Sequence, residues 1–129
     1  MKYKIAIFDM DGTILNTLDD LADSMNHCLR ARGLAERSLQ EIRTFLGNGI
    51  HRLVECSVPD GTDAETLEKV YQDFLIYYKD HCAIKTCPYE GIPQVLQSLR
   101  RAGVLTAVVS NKADYAVKIL CEDYFDGQF

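Results

Sequence analysis

The chain has 129 residues, 47% hydrophobic and 26% charged, with a formal net charge of −5, which suits one folded domain or a small domain with part of another. Only 3 Pro and 8 Gly, with no low-complexity tract, exclude a disordered or fibrous chain. No dense basic run offsets the acidic balance, so nucleic acid is excluded as the main partner and any phosphate chemistry must be local.

Lys2 and Lys4 precede an apolar run, Ile5 to Phe8, that stops at Asp9, far too short for a signal segment or a membrane span. No membrane association is expected. Cys28, Cys56, Cys82, Cys87 and Cys121 are odd in number and contain no C-x-x-C pair, which points to free thiols in a reducing cytoplasm.

Tyr3 to Phe8 is nearly continuous in apolar character, the pattern of a parallel-sheet strand buried on both faces. A polar turn, Asp9-Met10-Asp11-Gly12-Thr13, ends it. Leu18, Leu21, Ala22, Met25 and Leu29 then recur at helical spacing, with Thr17 and Asp20 as a capping box and Gly33 as the C-terminal stop. Ser38 and Glu41 open a short helix through Ile42, Phe45 and Leu46, closed by Gly47-Asn48-Gly49. Ile50 to Val58 makes a further helix ended by Pro59 and Gly61. Thr62 and Glu65 open a longer one, with the stripe Leu67, Val70, Tyr71, Phe74, Leu75 and Tyr78. After Pro88, Ile92 to Leu99 is a helix closed by Gly103. Val104 to Val109 is a second buried strand ending in Ser110-Asn111-Lys112, and a last helix starts at Asp114 and reaches about Cys121.

Residues 16–84 thus read as four helices inserted into a β-α-β-α pattern, the start of a doubly wound parallel sheet. The fold class is α/β: an incomplete parallel-sheet core from residues 1–15 and 85–129, with a four-helix insert. Ligands of such sheets bind beyond the carboxyl ends of the strands, where both polar turns fall. If the two strands are neighbours, the turns face one crevice.

Asp9, held at the strand end, can act as a nucleophile toward phosphorus and give an acyl-phosphate. Asp11, on the loop, can protonate the leaving oxygen and later activate water. Gly12 permits a sharp turn whose N–H groups can form an anion nest, and Thr13 can fix that turn. Ser110 and the Asn111 amide would hold the transferred phosphoryl oxygens. An anionic nucleophile attacking an anionic phosphate calls for a cation, and Mg²⁺ fits, with a carboxylate oxygen from Asp9 and a backbone carbonyl from Asp11. Read singly, a D-x-D-G turn caps helices more often than it catalyses, and a Ser-Asn turn is weaker still. His51 and His81 read as packing or surface residues. Lys112 has phosphate pairing only as a minor alternative.

The segments F-D-M-D-G-T-I (Phe8 to Ile14) and V-V-S-N-K (Val108 to Lys112) together resemble the haloacid dehalogenase-like phosphatases. F-L-G-N-G-I (Phe45 to Ile50) and T-C-P-Y-E-G-I (Thr86 to Ile92) are similar to segments of the phosphoglycolate phosphatase branch. The resemblance implies a Rossmann-like core with a helical cap over residues 16–84. It implies a Mg²⁺-dependent phosphate monoester hydrolase, with Asp9 as nucleophile, Asp11 as general acid/base and Ser110 as the phosphate-holding residue. The substrate would be a small phosphorylated metabolite such as 2-phosphoglycolate. Gly47, Asn48 and Gly49 would face it from the cap, with Arg52 equally readable as a solvated surface charge.

The resemblance also implies a lysine and an acidic metal-binding loop further along, and the chain ends at Phe129 before either. Lys112, Asp123 and Asp126 do not stand where those groups are expected. A truncated chain is therefore expected, with a bare sheet edge that offers a route to self-association. The rival readings are a sugar-phosphate mutase of the same superfamily and an inactive fragment with a binding or structural role.

Overall fold

The computed structural model describes residues 2–112 and 114–129. In chain order its elements are β1 (Ile5–Phe8), β2 (Leu15–Asn16), α1 (Leu18–Ala31), α2 (Leu39–Phe45), α3 (Ile50–Ser57) and α4 (Ala64–His81), followed by β3 (Cys87–Pro88), α5 (Ile92–Arg101), β4 (Leu105–Val108) and α6 (Asp114–Phe125). β1 and β4 are parallel neighbours, in register from Ile5 opposite Leu105 to Phe8 opposite Val108. Both strands therefore end at the same level, and the turns that follow them emerge side by side.

The apolar runs suggested burial on both faces of the sheet, but only one face is covered. Ile5, Ile7, Leu105 and Val109 are 56%, 65%, 69% and 66% exposed. Phe8 turns the other way, edge-on to Phe129 with ring centroids 6.4 Å apart, and the Thr106 hydroxyl donates to the Gln128 carbonyl. A continuous apolar run cannot reveal which of its two faces finds a partner.

The main core lies among the helices. Leu21, Met25 and Leu29 of α1 pack with Ile42 of α2, Leu53 and Val54 of α3, and Val70, Phe74 and Tyr78 of α4, all buried. Helix ends follow local chemistry. Ser38 and Glu41 form the reciprocal capping box expected at α2. α1 closes with Gly33 at φ +70, where the Leu34 N–H reaches the Leu29 carbonyl at 2.9 Å and the Gly33 N–H that of Arg30 at 3.1 Å. α4 starts one residue later than expected. Asp63 accepts from the Thr66 N–H at 3.1 Å, while the Thr62 hydroxyl is taken by the Pro59 carbonyl. α6 runs on to Phe125, past the expected end near Cys121. No helix of the described residues is long and apolar enough to cross a membrane.

The capping box expected at α1 does not form, because both of its residues are used elsewhere. Thr17 makes no side-chain cap; its hydroxyl donates to Asp11 at 2.6 Å. Asp20, buried, accepts the N–H groups of Ile84, Lys85 and Thr86 at 3.0, 2.9 and 2.8 Å and the Thr86 hydroxyl at 2.7 Å. This carboxylate ties the start of the helical insert to the segment leaving it. Beside it, β2 and β3 pair antiparallel, with Leu15 opposite Pro88 and Asn16 opposite Cys87. That ribbon was not expected, since two residues carry no readable period.

Removing the Asp20 carboxylate strands four donors at the neck of the insert, each buried unpaired donor costing ~1–3 kcal/mol. Partial solvation of the loosened segment offsets some of this, and Asp20→Ala is expected to lower the unfolding free energy by about 3 kcal/mol in urea titration. A loss below about 0.5 kcal/mol, the range of ordinary surface substitutions, would show that the neck does not depend on it.

Candidate active site

The turn after β1 winds tightly because its amides bond inward. The N–H groups of Thr13, Ile14 and Leu15 all reach the Met10 carbonyl at 3.1, 3.1 and 3.2 Å, and the Gly12 N–H reaches the Leu15 carbonyl at 3.0 Å. Gly12 adopts φ +76, a conformation that a side chain would strain. Met10, Ile14 and Leu15 are fully buried and anchor the loop, so the acidic positions between them are left at its surface. Asp9 is exposed, with Oδ1 accepting from the Met10 N–H at 2.8 Å.

Asp9, Asp11, Gly47, Gly49, Ser110, Asn111 and Lys112 line one cleft, whose remaining wall is Leu21, Leu46, Ile50 and Leu53. The cleft is small and partly open to solvent, with a cavity volume of about 40 Å³. The acidic and hydroxyl groups come from the two strand ends, and the apolar wall comes from the helices. Gly49 sits at the N-cap of α3 with φ +89, and a Cβ built there would lie 3.7 Å from the Asn111 carbonyl.

Four expected site residues behave differently. The Gly12 and Thr13 amides are committed to the turn itself, which removes them from an anion nest, and neither residue lines the cleft. Asn48 is exposed and also lies off the cleft. The Asn111 side-chain amide donates to the Gly47 carbonyl at 3.1 Å, so it joins the β4 turn to the insert. Ser110 accepts from the Lys112 N–H at 3.1 Å and keeps its own proton to donate. Outside the cleft, His51 and Arg52 both pair with Glu55, at 2.7 and 3.3 Å, and His81 stacks on Tyr77 with ring centroids 3.8 Å apart.

Lys112 is the largest departure from expectation. Its side chain is 1% exposed, and its ammonium donates to the Tyr78 hydroxyl at 2.6 Å and lies 3.3 Å from Asp11 Oδ1. Burial pulls the lysine below its ordinary pKa, and the neighbouring Asp11 carboxylate opposes that pull. Burial, with Asp11 the next cause, raises the Tyr78 phenol well above its usual range. Tyr78 read in the sequence only as part of an apolar stripe, and nothing in helical spacing marks which tyrosine points its hydroxyl at a charge.

Asp9 and the Asp11 carbonyl are hard oxygen donors of the kind Mg²⁺ accepts alongside water and substrate oxygens. The donor chemistry fits the ion. Among the described residues no group of three His, Cys, Asp or Glu gathers to complete a cage.

Comparison with known proteins bears on this geometry. The family model for haloacid dehalogenase-like hydrolases matches residues 6–124. An N-acetylmuramic acid 6-phosphate phosphatase of Pseudomonas aeruginosa is 35% identical over 112 residues, covering 87% of this chain and 50% of that protein. A phosphoglycolate phosphatase of Nitrosospira multiformis is 34% identical over 134 residues, covering 95% of this chain and 58% of that protein. The crystal structure of a predicted phosphoglycolate phosphatase from Haemophilus somnus 129pt superposes with a TM-score of 0.90 at 27% identity, covering 100% of this chain and 61% of that one. The chain thus spans about half the length of the curated relatives it matches. Family match and shared fold agree with two acids and a serine at the ends of adjacent parallel strands, and the chain belongs to the haloacid dehalogenase-like hydrolases.

Proposed function

We propose that this chain carries the nucleophile-bearing part of a Mg²⁺-dependent phosphatase that acts on a small phosphate monoester through an aspartyl-phosphate. One observation carries the reading: Asp9 and Ser110 leave neighbouring parallel strands at the same level and open with Asp11 onto one cleft. Among the described residues Asp9 has no side-chain cation partner, which leaves its carboxylate open to a metal ion and to phosphorus. Its oxygen attacks phosphorus while the ester oxygen leaves with a proton from Asp11; Asp11 then takes a proton from the water that cleaves the acyl-phosphate. Ser110 donates its hydroxyl to a phosphoryl oxygen.

Mg²⁺, held by Asp9 and the Asp11 carbonyl with waters, would neutralise the charge that otherwise keeps a carboxylate from a phosphate. The relatives' names support 2-phosphoglycolate as the first substrate to assay and N-acetylmuramic acid 6-phosphate as the second. The four-helix insert would serve as the cap, since it supplies the apolar wall of the cleft. All five thiols are free, which supports placing the protein in the cytoplasm.

Phosphate release from 2-phosphoglycolate in the presence of Mg²⁺ tests the reading. Asp9→Asn is expected to lower kcat by about 10³-fold or more, the scale seen when a nucleophile is removed, and to leave the fold intact by circular dichroism. Undiminished turnover in that variant would end the assignment.

Metal removal is a separate check. Incubation with EDTA should abolish turnover, and excess Mg²⁺ should restore it, whereas turnover indifferent to chelation would exclude a metal-bridged attack.

A further inference from the structure

Lys112 is a cation shielded from solvent, and the functional reading gives it no task. An unpaired buried ammonium costs several kcal/mol, so its neighbours identify what holds it there. It touches two groups: the Tyr78 hydroxyl at 2.6 Å, from the penultimate turn of α4, and Asp11 Oδ1 at 3.3 Å. The Tyr78 ring also faces the ammonium, 4.4 Å from its centroid. Asp11 Oδ1 accepts in addition from the Thr17 hydroxyl at 2.6 Å. Among the described residues no group donates to Oδ2.

We infer that Tyr78 and Lys112 are positioning residues for Asp11: a phenol from the helical insert fixes a buried ammonium, which with Thr17 pins one carboxylate oxygen and leaves the other turned to the cleft. The arrangement separates two duties that one carboxylate cannot perform with the same oxygen. Oδ1 is engaged by one hydroxyl donor and one ion pair, which set the orientation of the group. Oδ2 keeps its lone pairs for a proton. A substrate phosphate would have to draw Lys112 away from both partners to use it, so direct phosphate binding is the poorer account of this lysine.

The same loop is gripped a second time, through the Asn111 amide on the Gly47 carbonyl, so the insert contacts both residues that follow Ser110. α4 therefore sets the lysine, and the lysine sets the acid. The role given to Asp11 rests on the phosphatase reading, whereas its positioning is measurable without turnover.

The test is the side-chain carboxyl ¹³C spectrum of aspartate-labelled protein, with the Asp11 line assigned through Asp11→Asn. Tyr78→Phe deletes only the hydroxyl and keeps the ring in the core; Lys112→Met deletes the charge and keeps the length. Both are expected to move the Asp11 line in the same direction, with the amide spectrum of α4 unchanged in Tyr78→Phe. Either variant decides alone should the other not fold. An Asp11 line that stays in place in a folded variant overturns the inference, because a tyrosine that merely fills space would leave it there. A responsive line together with undiminished turnover in Asp9→Asn would end the functional reading and keep the positioning, and an unresponsive line with turnover lost in Asp9→Asn would do the reverse.

Discussion

The site depends on two short parallel strands ending together. β1 and β4 share only four paired positions, yet that register sets Asp9 one residue beyond Phe8 and Ser110 two beyond Val108. A slip of one residue would turn every side chain of one strand to the opposite face. Phe8 would then lose its ring contact with Phe129, and Thr106 its bond to the Gln128 carbonyl. The packing of the covered face thus resists the displacement that would carry nucleophile and hydroxyl apart. Backbone pairing and side-chain burial specify the same geometry, which is how a loop of flexible polar residues acquires a fixed origin.

Asp9, Asp11 and Asp20 illustrate how surroundings assign different tasks to one functional group. Asp20 accepts from three amides and a hydroxyl and is a structural pin. Asp11 accepts from a hydroxyl and pairs with a buried ammonium through a single oxygen. Asp9 accepts from the N–H of its own neighbour and is otherwise open to the cleft. The number and kind of donors rises from Asp9 to Asp20 as freedom to react falls. A nucleophilic carboxylate needs lone pairs available, and a hinge carboxylate needs none.

Much of the site was legible because its signals are local. A strand ending in D-x-D-G-T, the second strand ending in S-N-K, and the Ser38–Glu41 box each occupy a few consecutive residues, and all three appear where expected. What escaped is non-local. Thr17 and Asp20 have the spacing of a capping box, but the first is drawn to Asp11 and the second to a segment more than sixty residues away. Tyr78 and Lys112 meet across 34 positions, in a contact between elements that share no sequence pattern. The open sheet face escaped for the same reason: what covers a strand is decided by the elements packed on it, while an apolar run records only a capacity for burial.

Polar and apolar sides of the cleft come from different parts of the chain. The acids and the hydroxyl follow β1 and β4, whereas the four apolar side chains walling the cleft come from α1, the end of α2, and α3. The two parts meet at the neck, where Asp20 and the β2–β3 ribbon tie entry to exit, and at the Ser110–Lys112 turn, where Gly47 and Tyr78 reach the core. Leu21, Ile50 and Leu53 are also buried in the helical core, so a change in their size would be felt there as well as in the cleft. Tyr78 is bound differently, because its hydroxyl bonds the ammonium that lies against Asp11. Within one helical insert, apolar packing therefore shapes the cleft, while a single tyrosine is held fixed by the charge it supports.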